Sequence, residues 1–419
     1  MMIPVIVGLV LLAMLGAPLF VVLGAGSLLA AHSADLVPAV LIIEISRLAA
    51  SPNLTAIPLF TFAGVVLAAG GAAQRLVRLF NGLLGWLPGG IAAVALVACA
   101  FFTSFSGASG VTILALGGLL LPMLSRAGYP ERFSLGLLTS SGSLGLLFPP
   151  SLAILLYGIV AGVNIDELFL AGLVPGLLLL VILVLYSGLI GKFAGVPRQA
   201  FSWPEARQAL RMGIWDLLLP VLVVIGIFGG FVTISEAAAC TGLYVLILEA
   251  FTHRTLNLRR QLMELLSETT LLVGSILIIL GVAMGLTNLL IDAQLPTRVL
   301  EWMEGSVDSK LKFLLLLNLF LLVVGATMDI FSATVVVVPL ILPLALLYGV
   351  DPVHLGILFL ANMEIGYSTP PVGLNLYIAM QRFRRSILTL FRSVLPFLGL
   401  MLLWLGLVTY VPFLSLWWK

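Results

Sequence analysis

Two proline pairs inside long apolar segments constrain the fold of this chain more than any other feature. The first lies in Phe148-Pro149-Pro150-Ser151 and the second in Thr369-Pro370-Pro371-Val372. Because proline lacks an amide donor and clashes with the preceding helical turn, a helix must break at each pair. In a bilayer a broken helix is tolerated only where protein buries it or where it lines a polar cavity. Two breaks at matching places in two halves of a chain indicate a transporter binding site.

The composition predicts an all-α polytopic membrane protein. Of the 419 residues 61% are hydrophobic and only 9% are charged, whereas soluble domains carry about 25% charged residues. The apolar runs are long enough to cross a hydrocarbon core of roughly 30 Å, and they lack the alternation of a membrane barrel. The N-terminal run has no basic region and no cleavage pattern, which predicts a retained first helix instead of a signal peptide.

Hydrophobicity along the chain predicts spans, re-entrant hairpins and broken spans. Crossings are expected at about 3–24, 54–73 (ending in Arg75 and Arg78), 168–191, 215–232, 236–251, 265–290 and 387–413, with an interfacial helix at 34–50. Two re-entrant hairpins are expected from 91–105 with 111–124 and from 311–324 with 330–347, with tips at 104–110 and 325–329. The broken spans are 133–161 and 353–380. Ser235 is expected to cap the helix that follows it.

The two halves of the chain are similar in sequence. Pro370 follows Pro149 by 221 residues, Gly366 follows Gly145 by the same interval, and the tip glycine Gly325 follows Gly107 by 218. Constant spacing of proline pairs and tips indicates an internal duplication.

Loop charges predict that the two copies are inverted. Basic residues flank the first hairpin and follow the second broken span: Arg75, Arg78, Arg126, Arg132, Arg382, Arg384 and Arg385. Acidic residues occur at the reciprocal places: Asp166, Glu167, Asp292, Glu301, Glu304, Asp308 and Asp351. Because cytoplasmic loops are rich in Lys and Arg, residues 192–213 and 252–263 and the N-terminus are expected on the cytoplasmic side, and the C-terminus on the outer side.

The expected organisation has a scaffold and a transport domain in each half. Residues 1–90 supply scaffold helices and the interfacial arm of the first repeat, and 91–191 supply the first transport-domain half with the crossing after it. A cytoplasmic linker at 192–213 separates the halves. Residues 214–309 then supply scaffold helices, 310–380 the second transport-domain half, and 381–419 the C-terminal crossing.

In an inverted repeat the hairpin tips and helix breaks meet near the membrane midplane. Half-helices beginning near Gly110, Ser151, Met328 and Gly373 would direct free amides and partial positive charge at a carboxylate. Unwound carbonyls would supply oxygen ligands for a cation such as sodium. The pattern predicts an ion-coupled site for a polar solute, with an anion favoured. The predicted solute-binding residues are Ser109, Ser143, Ser151, Asp329, Ser368 and Gly373.

Several of these residues also have structural interpretations. Any single Ser, Thr or Gly can instead mediate close helix packing. Asp329 can be the N-terminal residue of its half-helix, and Glu364 can couple protons or brace the unwound segment.

The motifs resemble the large membrane subunit of tripartite ATP-independent periplasmic (TRAP) transporters. In the first half the resemblance is carried by Ser106-Gly107-Ala108-Ser109, Arg126-Ala127-Gly128-Tyr129, Gly145 and the first proline pair. In the second half it is carried by Gly325 with Met328-Asp329, by 349–356, by Asn362 and by Glu364-Ile365-Gly366 continuing to Asn375. Thr233 with Glu236-Ala237-Ala238 is similar to a third family signature. Two departures are Ile234-Ser235, where the family has Pro-Thr, and Gly110-Val111-Thr112 after the first tip.

The resemblance implies a sodium-driven elevator in a bacterial inner membrane. It implies a small four-helix membrane subunit and a periplasmic solute-binding protein as partners, and a small organic anion such as a C4-dicarboxylate or a sugar acid as solute. The sodium ligands that it implies are Ser106, Gly107, Gly145, Phe148, Pro150, Gly325, Thr327, Gly366, Thr369 and Val372. No organic cofactor and no nucleic-acid partner are expected.

Three other functions remain as alternatives. A divalent-anion/sodium symporter with the same inverted hairpins would need no binding protein. A membrane-embedded enzyme would need a catalytic dyad or metal cluster, and the scattered histidines and the lack of paired carboxylates argue against one. A channel is disfavoured because hairpins from opposite faces suit alternating access.

Overall fold

The structure is a computed structural model, and it describes residues 17–33, 52–87, 89–197, 200–292 and 309–419, with Val307 and a few isolated residues before residue 51. Within these ranges the chain is helical and contains no β-strand. Most of the predicted span 3–24, the interfacial helix 34–50 and the acidic residues Glu301, Glu304 and Asp308 lie outside the described residues.

The described part of the first half forms eight α-helices. They are α1 (Leu19–Ser33), α2 (Ala56–Ala69), α3 (Ala72–Leu84), α4 (Gly90–Ser106), α5 (Ser109–Arg126), α6 (Glu131–Ser140), α7 (Leu152–Ala161) and α8 (Ile165–Phe193). A 3-10 helix, Ser141–Leu147, connects α6 to α7.

The described part of the second half also forms eight. They are α9 (Trp203–Phe228), α10 (Ile234–Ile247), α11 (Leu258–Asp292), α12 (Lys310–Thr327), α13 (Ile330–Leu347), α14 (Pro352–Gly366), α15 (Leu374–Phe383) and α16 (Ile387–Tyr410). A π-helical turn, Leu248–Thr252, extends α10.

The prediction of a polytopic helical membrane protein is confirmed. In the described ranges eight helices are long and apolar enough to cross a bilayer: α5, α8, α9, α10 with its π-turn, α11, α12, α13 and α16. The bent pairs α2 with α3 (76°) and α6 with α7 (47°) raise the number to ten if each pair is one span.

Both predicted hairpins are pairs of helices joined by very short tips. Only Gly107-Ala108 separates α4 from α5, and only Met328-Asp329 separates α12 from α13. Gly107 ends α4 with φ of 65°, a left-handed conformation that glycine adopts without steric cost. The second tip is shorter than the predicted 325–329, because α12 continues to Thr327.

The predicted helix breaks are also present. The 3-10 segment and Phe148-Pro149-Pro150-Ser151 interrupt the first broken span, and residues 367–373 interrupt the second. α14 is buried at every position from Val353 to Gly366, and α7 from Leu152 to Gly158. A helix that is buried on all sides lies inside the bundle, so the broken spans are the centre of the fold.

Two helices have bounds that differ from the predicted crossings. The helix that contains the crossing expected at 215–232 begins at Trp203, so half of the residues 192–213 are helical and Arg207 and Arg211 lie on α9; their cytoplasmic location stays a prediction. The crossing expected at 54–73 ends at Ala69, and the bend there places Arg75 on the separate amphipathic helix α3.

The predicted cap of α10 was wrong. Thr233 is the N-cap: its hydroxyl accepts from the Glu236 amide at 3.3 Å, and the Glu236 carboxylate accepts from the Thr233 amide at 2.7 Å. This reciprocal pair is a capping box. Ser235 instead donates to the Pro52 carbonyl at 2.7 Å, which ties α10 to the chain before α2.

The two broken spans run antiparallel. Arg385, which follows the second, pairs with Glu131 at the start of the first at 2.5 Å. At the opposite end Lys419 pairs with Asp351, which precedes the second, at 2.8 Å and with Glu167, which follows the first, at 3.4 Å. These contacts support the inverted arrangement, although inversion of the complete repeats stays a prediction.

A buried ionic cluster joins α3 to α9 and to the end of α10. Arg75 donates to both carboxylate oxygens of Asp216 at 2.7 Å, and it also binds the Glu249 carboxylate. Asp216 is 1% exposed and Glu249 is 0% exposed. One guanidinium therefore compensates two carboxylates that have no access to water.

We predict that Arg75→Met strongly destabilises the protein. The substitution leaves two buried carboxylates without a cation, and loss of one partner of a buried ion pair costs about 3–5 kcal/mol. Thermal unfolding in detergent would show a clearly lower midpoint. Arg78→Met is the matched control, because Arg78 is exposed on the same helix, and equal midpoints for both variants would contradict the role of the cluster.

Candidate ion and solute site

The first unwound segment wraps around the tip of the first hairpin, and glycines make each contact. A Cβ on Gly145 would lie 2.3 Å from the Ala100 carbonyl oxygen and 2.4 Å from the Ser104 nitrogen. A Cβ on Gly107 would lie 2.4 Å from the Leu152 side chain. These contacts leave no space for a side chain at either glycine. The backbone at Gly145 packs directly on the backbone of α4, and the backbone at Gly107 packs on the Leu152 side chain at the start of α7.

The hydroxyl groups around this first tip are buried, and two of them are unpaired. Ser109 is 2% exposed, and Ser141, Ser143 and Ser151 are 0% exposed. The Oγ atoms of Ser109 and Ser151 have no hydrogen-bond partner. Because a buried polar group without a partner is costly, these two hydroxyls suit an additional polar ligand.

The second unwound segment packs against the second tip in the same way. A Cβ on Gly366 would lie 2.4 Å from the Gly325 carbonyl carbon. The amides of Val372 and Gly373 both donate to the Ala326 carbonyl at 3.2 Å. Gly373, with φ of 53°, then begins α15.

The two clusters form equivalent backbone hydrogen bonds. The Phe148 amide donates to the Gly145 carbonyl at 3.1 Å, and the Thr369 amide donates to the Gly366 carbonyl at 2.9 Å. Both donor and acceptor in the second pair lie 221 residues after those in the first. A carbonyl oxygen has two lone pairs, so each glycine carbonyl retains one for another ligand.

The clusters differ in exposure. At the first tip Gly107, Gly145 and Pro150 are buried, whereas Ser106 and Phe148 are half-buried. At the second tip Gly325 and Gly366 are buried, but Thr327 is exposed and Val372 is 50% exposed. The first cluster is therefore enclosed by protein and the second is open.

The two breaks meet at Ser143. Its hydroxyl accepts from the Asn375 side-chain amide at 3.3 Å and lies 3.5 Å from the Glu364 carbonyl oxygen. The Oδ1 atom of Asn375 and both carboxylate oxygens of Glu364 are buried without a hydrogen-bond partner. The structure thus brings the predicted residue Ser143 beside the second break, while the role of Glu364 stays open.

Of the four half-helix N-termini, only that of α13 is fully capped. The Asp329 carboxylate accepts from the Phe331 and Ser332 amides at 3.0 Å, and the Tyr367 hydroxyl accepts from the Ile330 amide at 2.5 Å. The structural interpretation of Asp329 as a helix-terminal residue is confirmed. Its role as a solute ligand stays a prediction, because the carboxylate would have to leave this cap.

The other three half-helices begin without a side-chain cap. The N-cap residues of α5, α7 and α15 are Ala108, Ser151 and Gly373, and none accepts a hydrogen bond with its side chain. At α15 the Asn375 amide donates to the Tyr367 carbonyl at 2.9 Å, whereas no side chain among the described residues accepts from the first-turn amides of α5 and α7. These amides lie at the positive end of the helix dipole, which suits an anionic group.

Two predicted hydroxyl ligands already donate to carbonyls of the helical turn that precedes them. Thr369 donates to the Ile365 carbonyl at 2.9 Å, and Thr327 donates to the carbonyls of Val323 and Val324 at 3.0 Å. Each hydroxyl oxygen still has lone pairs for a cation. Ser368 is 0% exposed, and its Oγ has no partner.

Sequence reasoning missed several buried polar residues near the breaks. Asn375, which binds Ser143, was not predicted as a site residue. A buried chain of side chains was also missed: Asn362 donates to Asn318 at 2.7 Å, and Asn318 donates to Thr409 at 2.9 Å. The available signal was an amide side chain within an apolar helix, which needs a partner because it cannot reach water.

These features define a class: a membrane transporter with helical hairpins and broken spans around a central site. Comparison with known proteins agrees. A protein family described as "Tripartite ATP-independent periplasmic transporter, DctM component" matches residues 6–414. The chain belongs to this family of TRAP transporter large permeases, and it is a transporter component, not an enzyme.

Relatives in this family are named for different solutes. The C4-dicarboxylate TRAP transporter large permease DctM of Vibrio cholerae is 34% identical over 96% of this chain and 94% of its own length. The isethionate TRAP transporter permease DctMQ of Oleidesulfovibrio alaskensis is 35% identical over 96% of this chain and 64% of its own length. The ectoine TRAP transporter large permease TeaC of Halomonas elongata is 31% identical over 87% of this chain and 85% of its own length.

A solved structure shows the same fold. The YdaH transporter of Alcanivorax borkumensis superposes with a TM-score of 0.61 and 16% identity, over 90% of this chain and 88% of that one. At this identity the likeness supports the fold alone.

We predict that Gly145→Ala and Gly366→Ala each disrupt the packing of tip and break. The new methyl group would overlap backbone atoms that cannot rotate away, and overpacking of this kind costs about 1–3 kcal/mol or more. Each variant should unfold at a lower temperature in detergent. Gly399→Ala is the control, since no atom lies within 4 Å of a Cβ there, and variants as stable as this control would argue against the close backbone contact.

Proposed function

We propose that this chain is the large membrane subunit of a sodium-coupled system that takes up a small organic anion. The observation that carries the proposal is the pair of tip-and-break clusters, in which unpaired buried hydroxyls lie beside uncapped helix N-termini. A C4-dicarboxylate, a sialic acid or another sugar acid fits such a site. The C4-dicarboxylates, isethionate and ectoine in the names of the relatives also carry an anionic group.

Oxygen atoms in both clusters suit sodium as the coupling ion. Unwound carbonyls and half-helix ends are the usual sodium ligands in transporters. The glycine carbonyls of both clusters have a free lone pair, and serine and threonine hydroxyls lie nearby. The proposed ligands are Ser106, Gly107, Gly145, Phe148 and Pro150 at the first site, and Gly325, Thr327, Gly366, Thr369 and Val372 at the second.

The solute would bind at the N-termini of α5, α7 and α15. The first-turn amides of α5 and α7 and the buried hydroxyls of Ser109, Ser151 and Ser368 offer donors to a carboxylate. Ser143 and Gly373 lie where the two breaks meet and would complete the site. The cap that Asp329 provides disfavours an anion at α13.

A small four-helix membrane subunit and a periplasmic solute-binding protein are the proposed partners. Membership of the TRAP family supports both. The isethionate relative is named DctMQ, and this chain spans 64% of its length, which leaves room in that protein for a second component.

The proposed location is a bacterial inner membrane, with a cytoplasmic N-terminus and a periplasmic C-terminus. The ionic contacts at the two ends of the broken spans support this orientation. Arg385 lies in a basic loop at one end, while Lys419 at the other end contacts the acidic loops of Glu167 and Asp351. Basic loops favour the cytoplasm.

The transport mechanism that we propose is an elevator, in which tips and breaks move together past the scaffold. The contact between α2 and the first tip supports it. A Cβ on Gly64 would lie 2.6 Å from the Phe105 carbonyl oxygen and 2.8 Å from the Ser106 Cα. The two backbones therefore meet closely here, and the buried Phe105 side chain shares an apolar cluster with Ala63 and Val66 of α2. We propose that this apolar contact is one that shifts when the tip moves.

We predict that Thr369→Leu abolishes sodium-dependent uptake, because it removes a proposed sodium ligand and adds bulk beside the second break. The assay is uptake of labelled C4-dicarboxylate, isethionate and ectoine into liposomes containing both membrane subunits, with binding protein outside and an inward sodium gradient. Thr369→Ser, which keeps the hydroxyl, should retain uptake. Unchanged sodium dependence in Thr369→Leu would count against the second site.

The same assay distinguishes the alternative of a stand-alone divalent-anion/sodium symporter. Omission of the binding protein should stop uptake. If this chain alone in liposomes takes up solute on a sodium gradient, the tripartite assembly is wrong while sodium coupling stands.

We predict that Gly64→Val separates binding from transport. A valine side chain cannot coexist with the tip in its present position, so the transport domain would be excluded from this state. The variant should keep a sodium-dependent rise in unfolding temperature but lose uptake. Gly242→Ala, where α10 faces α2 at an ordinary 3.6 Å, should keep both; wild-type uptake by Gly64→Val would exclude this contact from the cycle.

A further inference from the structure

A large cavity lies beside the turn that joins α10 to α11. Its volume is about 800 Å³, and its walls come from one stretch of chain between Ala250 and Gln261. Three of the lining residues are Arg254, Arg259 and Arg260. Within the described part of the chain, no ion pair or side-chain hydrogen bond involves any of these three guanidinium groups.

The turn that carries Arg254 is held in place by buried groups. The Glu249 carboxylate accepts from the Thr255 hydroxyl, and the Glu249 carbonyl accepts from the amides of Thr255 and Leu256 at 2.9 and 3.3 Å. Leu256 is 5% exposed, and Arg254 itself has φ of 53°, an unfavourable conformation for a residue with a side chain. The cavity is thus bounded by an ordered turn that is anchored through Glu249 to Arg75.

The charge in this cavity is not neutralised by neighbouring residues. α11 begins at Leu258 with no acidic residue in its first turn, and its N-terminus adds partial positive charge. Glu264 and Glu268 lie further along α11, and neither pairs with the arginines. Burial and the nearby Arg75 lower the pKa of His253, so this side chain is neutral at pH 7 and three guanidinium groups supply the charge.

The turn that carries these groups joins two helices that are long and apolar enough to cross a bilayer. One ends at Thr252 and the next begins at Leu258, so in a bilayer we expect Arg254 near the membrane surface. The apolar side chains of Phe251 and Met263 flank the turn and are 65% and 76% exposed. A phosphate with attached acyl chains matches both the basic cavity and its apolar margins.

We propose that this cavity binds the headgroup of an anionic phospholipid, with Arg254, Arg259 and Arg260 as the phosphate ligands. Guanidinium groups bind phosphate oxygens in a bidentate manner and are the usual choice for such sites. The bound lipid would hold the α10–α11 turn, and through Glu249 and Arg75 the helix α3, against the membrane surface. This site is separate from the ion and solute site and does not depend on it.

The test compares the wild type with R254Q/R259Q/R260Q in detergent with added phosphatidylglycerol, phosphatidylcholine or inorganic phosphate. Phosphatidylglycerol should raise the unfolding temperature of the wild type, while the other two additives should have little effect. The triple variant should lose this shift and co-purify with less phosphatidylglycerol. R207Q/R211Q is the matched control, because Arg207 and Arg211 are exposed on α9 and line no part of this cavity.

Each of three other outcomes would overturn the proposal. Equal stabilisation by inorganic phosphate would identify a site for a free anion. Equal loss in R207Q/R211Q would reduce the effect to general surface charge. If the triple variant instead loses the small membrane subunit on purification but keeps the lipid shift, the arginines contact protein.

Similar unfolding midpoints of all variants without lipid would show that each variant is folded.

Discussion

Backbone groups released by the helix breaks must find partners within the protein, and the rest of the structure follows from this requirement. Inside a bilayer no water is available to bond a free carbonyl or amide. In this protein each unwound segment lies against a hairpin tip, which is the other place where helices end. Close approach of the two backbones is possible because glycines occupy the contacts, Gly145 at the first tip and Gly366 at the second. The remaining lone pairs of these carbonyls are what a coupling ion would use.

The two clusters share this design but differ in environment. The first is enclosed by α2 and the surrounding helices, with two of its buried serine hydroxyls unpaired. The second is open at Thr327 and Val372, and the half-helix beside it is closed by Asp329. Equivalent backbone contacts with unequal exposure suit a transport domain in which one side is covered and the other accessible at a given stage of transport.

Away from the two clusters, a buried ionic contact adds to the apolar packing between helices. Arg75 joins α3 to α9 and α10, and Glu249 also anchors the turn that carries the three unpaired arginines. Burial of two carboxylates around one guanidinium makes this corner rigid but intolerant of substitution. By contrast, the contact between α2 and the first tip is apolar: the tip backbone lies against Gly64, and the buried Phe105 side chain shares a cluster with Ala63 and Val66 of α2.

Much of this architecture could be predicted from the amino-acid sequence alone. Long apolar runs, proline pairs and tip glycines depend only on local chemistry, so both breaks, both hairpins and most of the described spans were placed from sequence, although α9 begins and α2 ends earlier than predicted. Local chemistry did not decide the cap of α10, because Thr233 and Ser235 are both good N-cap residues and only the contact of Ser235 with Pro52 separates them. It also did not reveal that Arg75 is buried. The carboxylates of Asp216 and Glu249 that bind Arg75 are distant from it in sequence, and the bend after Ala69 depends on the packing of the helices. Ser143 meets Asn375, 232 residues away, only because the two broken spans pack antiparallel. Contacts of this kind depend on which helices become neighbours, and that is settled by packing of the whole bundle.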